Sequence, residues 1–561
     1  MEGNMIAIVV TIVLLVLIVM KMRWDETQRK QRMRAYLQRT WGHPDEREYD
    51  DKQWEAITYY AQCTSKKHDM DDTTWNDLDG DLVFQKWNHT RTSMGEEYLY
   101  AMFRHMETDL DQLAERERII SFLQEHKAER DKLQEALADI GEANHWSVYK
   151  RLCQIENMSS VHKWQHIAQA LLLVVCLLGC LVDPAVMVLA SIVVMGVNIV
   201  SYYTIKSKLE GQIHLFPFVL RMIVQCKDLA NIAIPELQDY QDKLQQNAKC
   251  FRKFCRCSYL VSGGNQMGGD IMDSLMDYVR MLTHVDLIKI GTMIEVAREQ
   301  EQRLKESYEI IGFLDSMLSI ASAREMYPTW CAPKLQQGKS FIHSKELYHP
   351  LLEDGVGNDF STDKSVLLTG SNASGKSTFI KAVALNAVLA QTFHTVVASE
   401  YESSLFEVAS SMALRDDISN GESYYIVEIN SIRRLFQKEQ EAEVPMLCFI
   451  DEVLRGTNTV ERIAASSSIL EYLSAGEHLC IAATHDVELT YLLEEKYDNY
   501  HFQEKVTEDD VQFDYLLHEG RANSSNAIRL LEVIGYPTSL VEEAKQRAAS
   551  FLESGTWSNN D

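Results

Sequence analysis

An eight-residue pattern in the C-terminal third of the 561-residue chain constrains its fold more than any other feature. Gly370–Ser377 reads GSNASGKS and fits G-x-x-x-x-G-K-[ST] in full. It follows the apolar segment Ser365–Thr369 and opens Lys376–Gln391, which contains no helix breaker. Such a loop needs this strand-to-helix junction, because backbone N–H groups and the helix N-terminus must face a phosphate. The sequence therefore predicts a P-loop.

The side chains of this loop predict binding of ATP together with Mg²⁺. Lys376 would supply a positive charge to the β- and γ-phosphates, and the Ser377 hydroxyl would complete the Mg²⁺ coordination shell. Asn372 also lies in the loop. The expected ATP contacts are Gly370, Ser371, Asn372, Ala373, Ser374, Gly375, Lys376, Ser377 and Thr378.

Two later apolar segments end in residues that suit ATP hydrolysis. Met446–Ile450 reads as a buried strand followed by Asp451 and Glu452, at the strand end where ligands bind in open α/β sheets. Asp451 would hold Mg²⁺, and Glu452 would polarise the attacking water. The strand-like run Leu479–Thr484 ends next to His485, which would sense the γ-phosphate.

From Tyr348 onward, short apolar runs alternate with helix-like segments, which predicts a mostly parallel sheet flanked by helices. Two later runs, Tyr500–Val506 and Phe513–His518, predict an added antiparallel pair. The expected fold is thus an α/β P-loop domain preceded by a mainly α-helical region, with long helical patterns in 107–143 and 272–321.

Two regions predict membrane segments. Met5–Met20 is apolar throughout, and basic residues follow it rather than precede it, which favours an uncleaved anchor over a cleaved signal peptide. Ile167–Val182 and Ala185–Thr204 are separated by Asp-Pro and flanked by lysine and arginine on both sides, which predicts a transmembrane hairpin; a buried helical hairpin or re-entrant loop is the alternative. The expected localisation is a bacterial inner membrane, multi-pass, with the N-terminus outside.

Charge and cysteine content indicate which partners and which redox compartment suit the protein. The formal net charge is −27, so contact with DNA would require a local basic patch. Lys249, Arg252, Lys253 and Arg256 form one basic cluster, which suits phosphate or lipid headgroups but also an ordinary solvated helix face. Eleven cysteines scattered through apolar runs are typical of a reducing compartment.

Taken together, the motifs resemble those of the MutS family of ATPases. The matching segments, in order, are TGSNASGKST, AQTFHTVVASE, DDISNGESYYIVEI, DEVLRGTNTVERIAA and ATHDVELT, followed by a similar tail, HEGRANSSNAIRLLEVIGYP. The resemblance is strong over 340–550. Weaker likenesses start at Thr74, Ser93 and Tyr308 and are similar to the family's helical core and lever helices.

The resemblance implies further roles. Gln391 would be a further ATP contact and would link the nucleotide state to the rest of the molecule. Ser423 would reach the γ-phosphate of a partner subunit, with support from Glu428, while Thr457 and Asn458 would face the opposite protomer. A site shared in this way implies an ATP-driven homodimer.

The resemblance also suggests a domain division, and it leaves the function open. The predicted parts are an anchor (1–24), a cytoplasmic helical region (25–165), a transmembrane hairpin (166–205), a helical core or lever region (206–339) and a MutS-type ATPase domain with a C-terminal dimerisation element (340–561). A counterpart of the family's mismatch-reading domain is not expected before the helical region, because the anchor occupies its place. The chain is therefore expected to be either a membrane-anchored ATPase associated with DNA or an ATP-driven switch acting on a membrane or protein partner; a transporter is a weaker third reading, because three short spans form no pathway.

Overall fold

A computed structural model describes the chain except for residues 1, 46, 68, 144, 159, 214, 259–260, 262–269, 372–373, 413–423, 455–457, 507–510, 523–526 and 555–561. The helices that precede the first strand are α1 (Glu2–Thr40), α2 (Asp51–Thr64), α3 (Asp72–Asp77), α4 (Gly80–Trp87), α5 (Ser93–Arg104), α6 (Leu110–Glu125), α7 (Lys127–Ile140), α8 (Val148–Cys153), α9 (Lys163–Gly179), α10 (Pro184–Ile213), α11 (Leu215–Asn231), α12 (Gln238–Cys250), α13 (Arg252–Cys255), α14 (Asp270–Thr283), α15 (Val285–Glu299) and α16 (Glu301–Arg324).

The remainder alternates strands with helices. Its elements are β1 (Lys334–Gln336), β2 (Ile342–Leu347), β3 (Asn358–Thr362), β4 (Ser365–Thr369), α17 (Lys376–Thr392), β5 (Glu400–Ser404), β6 (Glu407–Ser411), α18 (Tyr424–Glu441), β7 (Met446–Asp451), α19 (Thr459–Leu473), β8 (Leu479–Ala483), α20 (Val487–Leu492), β9 (Tyr497–His501), β10 (Glu504–Val506), β11 (Val511–Phe513), β12 (His518–Glu519), α21 (Ala527–Ile534) and α22 (Thr538–Ser554).

The chain divides into two compact units. A helical unit comprises 1–64, 88–101 and 118–325, and an ATPase-type α/β unit comprises 65–87, 102–117 and 326–561. The α/β unit therefore includes two short segments from the N-terminal half, which the sequence did not indicate. This division does not test the five predicted parts, which stay predictions.

A six-stranded sheet forms the centre of the α/β unit, with the order β12-β9-β4-β8-β7-β6. All neighbouring pairs are parallel except β12 with β9. Apolar side chains of α18, α19 and α20 pack on one face of this sheet with alternate residues of β7, namely Met446, Cys448 and Ile450. Every residue of β4 and β8 is buried, as expected for strands covered on both faces.

The predicted strands and the predicted P-loop helix match the observed β4, β7, β8 and α17 closely. The predicted pair Tyr500–Val506 and Phe513–His518 is only partly right. Its first run is split between β9, which is parallel to β4, and β10, which pairs antiparallel with β11. A second sheet, ordered β1-β5-β2-β3, was not predicted, and its strands are short and mostly polar.

In the helical unit, α16 is the central element, with nearly all residues from Leu304 onward buried. Asp315 on α16 accepts hydrogen bonds from the backbone N–H groups of Arg91 and Thr92, at 3.0 and 2.8 Å, just before α5 begins. Glu97 on α5 accepts hydrogen bonds from the Val148 backbone N–H and from the Tyr308 hydroxyl, at 2.7 and 2.9 Å. Buried carboxylates thus tie α5, α8 and α16 together.

The predicted apolar hairpin is present as two helices, α9 and α10, joined at Asp183 and Pro184. Its side chains are unusually exposed, with Leu181 and Val182 at 84% and 88%. Within the described residues, one helical stretch, Pro184–Leu209, has the length and apolar character needed to cross a membrane, while α9 is apolar but shorter. The N-terminal segment belongs to one continuous helix, α1.

Candidate functional site

The loop between β4 and α17 has the backbone that its glycines predict. Gly370 and Gly375 have φ angles of 144° and 105°, which residues with a Cβ rarely adopt. A Cβ on Gly370 would lie 2.8 Å from the carbonyl oxygen of Phe502 and 3.0 Å from the Ser374 Oγ. Only glycine fits this position without displacing the backbone that follows β9.

The loop wraps around the ammonium group of Lys376. This side chain is 5% exposed, and its Nζ donates hydrogen bonds to the carbonyl oxygens of Gly370 and Ser371, both at 2.8 Å. The Ser374 Oγ is buried without a hydrogen-bond partner among the described residues. A buried polar atom in this situation is costly unless a ligand satisfies it, so the cradle fits the oxygen atoms of a phosphate.

The P-loop and the end of β7 meet directly. The Ser377 Oγ donates a hydrogen bond of 2.6 Å to the Oδ2 of Asp451, although 74 residues separate them in the chain. Parallel pairing of β4 with β8 and of β8 with β7 brings the carboxyl ends of these strands to the same edge. A hydroxyl and a carboxylate are the oxygen ligands that suit Mg²⁺.

Glu452 and His485 form the second polar pair at this edge. The Nε2 of His485 lies 2.9 Å from the Oε1 of Glu452. Glu452 has a φ of 63°, and its backbone N–H donates to the Ala483 carbonyl oxygen at 3.0 Å, which fixes the residue against β8. A non-glycine residue held in the left-handed region is a common feature of functional sites.

An ion pair supports the loop that carries His485. Arg462 on α19 donates to both carboxylate oxygens of Asp486, at 2.9 and 2.6 Å. The hydrogen bond to Asp486 raises the pKa of Arg462, while burial opposes the rise. These two hydrogen bonds hold Asp486, the residue after His485, to α19.

Residues 366–552, which contain all of these groups, match the family described as MutS domain V. The C-terminal part of the chain belongs to the MutS family. Proteins named DNA mismatch repair protein MutS are similar over slightly less than half of this chain. Those from Thermosipho melanesiensis, Natronomonas pharaonis and Listeria monocytogenes are 33%, 32% and 30% identical over 46%, 45% and 45% of it. The match spans only 31%, 30% and 30% of those relatives.

The structure describes only some of the other predicted MutS-type site residues. Thr378 is exposed on the first turn of α17. Asn458 caps α19, and its Oδ1 accepts a 3.0 Å hydrogen bond from the Val460 backbone N–H. Glu428 is buried on α18. Asn372, Ala373, Ser423 and Thr457 lie outside the described residues, so their predicted roles stay predictions.

The structure places Gln391, another predicted ATP contact, away from the phosphate loop. It lies at the other end of α17, fifteen residues after Lys376, which corresponds to about 22 Å along an α-helix. Its amide pairs with the Phe406 backbone, accepting from the N–H at 2.8 Å and donating to the carbonyl oxygen at 3.0 Å. The helix separates Gln391 from the anion cradle in this structure, and its predicted contact with ATP stays a prediction.

The structure adds two residues that the sequence analysis did not single out. Tyr515 is 46% exposed, and its ring lies 3.2 Å from the position of a Cβ on Gly375, so an aromatic surface borders the phosphate loop. Asp77 on α3 accepts hydrogen bonds from the Ser410 Oγ and the Met412 N–H, at 2.7 and 2.9 Å, where β6 ends. No local pattern marks either residue, since both depend on contacts between distant segments.

Proposed function

We propose that this chain binds ATP at the Gly370–Ser377 loop and hydrolyses it in a Mg²⁺-dependent reaction. The observation that carries the proposal is the 2.6 Å hydrogen bond between Ser377 and Asp451, because it joins the anion cradle to the acidic strand end. The loop N–H groups, the α17 N-terminus and Lys376 would bind the phosphates. Tyr515 offers a ring on which the base would stack.

Ser377 and Asp451 would hold the Mg²⁺ ion. When bound, Mg²⁺ neutralises charge that develops on the phosphate oxygens. Glu452 would accept a proton from the attacking water, and His485 would orient the Glu452 carboxylate through their 2.9 Å contact. The side chains of Glu452 and His485 are 24% and 39% exposed, so both remain accessible to water and substrate.

The direct test is phosphate release by the purified full chain. We expect ATP hydrolysis in the presence of Mg²⁺ and its loss when the metal is chelated. Ser377→Ala should lower the rate by about 100-fold, because a metal ligand is lost, while Ser399→Ala, remote in sequence and fold, should retain it. A rate that is independent of Mg²⁺ and of Ser377 would contradict the proposal.

The active form would be a homodimer with a composite site. The support is the family resemblance of Ser423, Thr457 and Asn458, which in that arrangement would face the nucleotide of the opposite protomer. Glu452→Gln should then accumulate with ATP bound and shift from monomer to dimer in analytical ultracentrifugation. A sedimentation coefficient that ATP leaves unchanged would contradict the composite site.

The chain would also be anchored in a membrane, with the ATPase unit in the cytoplasm of a bacterial cell. The support is the exposed apolar surface of α9 and α10, together with the apolar segment Met5–Met20. Only 17% of the apolar window of Pro184–Leu209 is buried inside the protein, so this surface is not that of an ordinary core helix. In a chain that lacks residues 1–24, Val193→Arg with Val197→Arg should weaken retention in membranes washed with alkaline carbonate, whereas full retention of this variant would contradict a spanning α10.

DNA association is a second candidate, favoured by the names of the relatives. An ATP-driven switch acting on a lipid or protein partner is the alternative, favoured by the net charge of −27. Binding of the detergent-solubilised chain to duplex and branched DNA separates the two. Affinity that falls steeply as salt rises supports DNA binding, and absence of binding at low salt excludes it.

A further inference from the structure

Four cations surround the junction of α12 and α13. They are Lys249, Arg252, Lys253 and Arg256, here called the basic turn, and all four are exposed. Phe251 and Phe254, which lie between them, are 1% and 0% exposed. The buried rings fix the backbone of the turn beneath its four exposed cations.

The basic turn is not neutralised locally. None of its four side chains forms an ion pair with a described residue, although many other surface cations of this chain do. The nearby acidic residues of α12, Asp239 and Asp242, lie near the opposite end of that helix. In a chain of net charge −27, this concentration of free positive charge stands out as a surface for an anionic partner.

The position of the basic turn is set by α15. The Nζ of Lys289 donates hydrogen bonds to the carbonyl oxygens of Lys253 and Phe254, at 2.8 and 2.7 Å. Two residues further along α15, a Cβ on Gly291 would lie 2.9 Å from the Cγ of Lys163, the first residue of α9. The same stretch of α15 therefore holds both the basic turn and the base of the apolar hairpin.

The base of the hairpin has the features of a membrane interface. Trp164, next to Lys163, is 81% exposed, and Tyr203 near the end of the apolar stretch of α10 is 57% exposed. Lys206 and Lys208 follow it and are also exposed. Aromatic and basic side chains at the ends of apolar helices are typical of the boundary between hydrocarbon and water.

We propose that the basic turn binds anionic phospholipid headgroups of the membrane that contains α9 and α10. This inference rests on the membrane anchoring in the proposed function and names the lipid class that the anchored chain selects. Lysine and arginine next to a membrane segment are attracted by the negative surface potential of the cytoplasmic leaflet. The adjacent apolar helices favour lipid over nucleic acid as the source of the phosphate groups.

Two cysteines provide a readout at the site. Cys250 lies within the basic turn and Cys257 directly follows it, and both are exposed. Cys63 is exposed on α2 and serves as an internal reference. The full chain is reconstituted in nanodiscs of phosphatidylcholine alone or with about one third phosphatidylglycerol. Alkylation by an uncharged, water-soluble maleimide is then followed at each cysteine by peptide mass spectrometry.

We expect the anionic lipid to slow alkylation of Cys250 and Cys257 by about fivefold and to leave Cys63 unchanged. The effect should disappear in about 1 M salt, where the Debye length is about 3 Å. Replacing all four cations of the basic turn with glutamine should abolish it. A control with the same change in charge, in which Lys52, Lys127, Lys132 and Lys334 become glutamine, should keep it, and circular dichroism checks that both variants fold.

Equal alkylation rates in the two kinds of nanodisc would overturn the inference and leave the anchoring intact. Failure of the chain to enter either nanodisc would contradict the membrane anchoring and this inference together. Protection of Cys250 and Cys257 by duplex DNA in neutral nanodiscs would assign the basic turn to nucleic acid instead. ATP hydrolysis in the same samples reports separately on the nucleotide site.

Discussion

Selected acidic side chains of the two units differ in their exposure to solvent and in their hydrogen-bond partners. In the α/β unit, the side chains of Glu452 and its partner His485 remain 24% and 39% exposed at the ends of β7 and β8. In the helical unit, Glu97 and Asp315 are 2% and 0% exposed and accept hydrogen bonds from backbone N–H groups at helix starts. Burial raises the pKa of these two carboxyl groups to about 8 and about 6.

A raised pKa of a carboxyl group therefore does not by itself locate the functional site. The buried carboxyl groups of the helical unit fix helices to one another and are shielded from solvent. The Glu452–His485 pair is marked instead by position, since parallel strands end there beside a P-loop. Perturbed pKa values indicate function only where the group can also reach a substrate. We therefore expect variants at the strand ends beside the P-loop to change catalysis, whereas variants of buried polar groups away from that edge should change stability.

The largest effect is expected for Lys376→Ala. Because this ammonium group is the main positive charge of the cradle, we expect ATP binding to weaken by more than about 100-fold, measured by calorimetry or by fluorescent nucleotide titration. Lys381→Ala is the matched control, since Lys381 lies on the same helix but pairs with Asp79 at 2.6 Å. Unchanged ATP binding in Lys376→Ala would contradict the proposal that Gly370–Ser377 binds the phosphates.

Glu452→Gln should separate binding from hydrolysis. We expect ATP affinity to be retained and turnover to fall by about 100- to 1000-fold, because the amide cannot accept the proton of water. Single-turnover phosphate release measures this directly. Glu461→Gln, an exposed acid in the first turn of α19, should hydrolyse ATP normally. A normal rate in Glu452→Gln would show that another group activates water.

Stability of the helical unit should depend on pH through Glu97. Because its pKa is raised, the folded state keeps a proton that the unfolded chain has released, so stability is complete below the unfolded pKa and falls as pH rises through about 8. Glu97→Gln should reduce this slope by about 1.4 kcal/mol per pH unit. Urea unfolding between about pH 5 and 9 checks it.

Glu96 and Asp315 should also contribute to the dependence of stability on pH. Burial also raises the pKa of Glu96 to about 7 and that of Asp315 to about 6, so some slope should remain in the Glu97→Gln protein. ATP binding should be the same in the variant and in the wild type. An unchanged slope in Glu97→Gln would show that the Glu97 carboxyl group titrates normally.

The smallest effect is expected for Gln391→Met, which keeps the side-chain volume but removes the contacts with Phe406. We expect the free energy of unfolding to fall by about 1–3 kcal/mol, because the backbone N–H and carbonyl groups of Phe406 are left without this partner. ATP affinity should stay within about twofold, since about 22 Å of helix separates residue 391 from the cradle. A large loss of affinity with normal stability would support Gln391 as a nucleotide contact.

The sequence predicts what depends on local pattern. The P-loop, the Asp451–Glu452 strand end and His485 were all identified because each motif includes its own strand or helix signal. Asp77 and Tyr515 could not be identified, because their importance arises from contacts with β6 and with the P-loop that no spacing encodes. The sheet β1-β5-β2-β3 was missed because its polar strands lack an apolar run. The sequence could not show that α17 places Gln391 far from the cradle, because a family resemblance gives a role without a distance.

The most direct test of the central claim is an experimental structure of Glu452→Gln with ATP and Mg²⁺. We expect a triphosphate against the backbone of Gly370–Ser377, with Ser377 and Asp451 on the metal and residue 452 beside the terminal phosphate. A nucleotide bound elsewhere, or a terminal phosphate out of reach of Asp451 and residue 452, would contradict it.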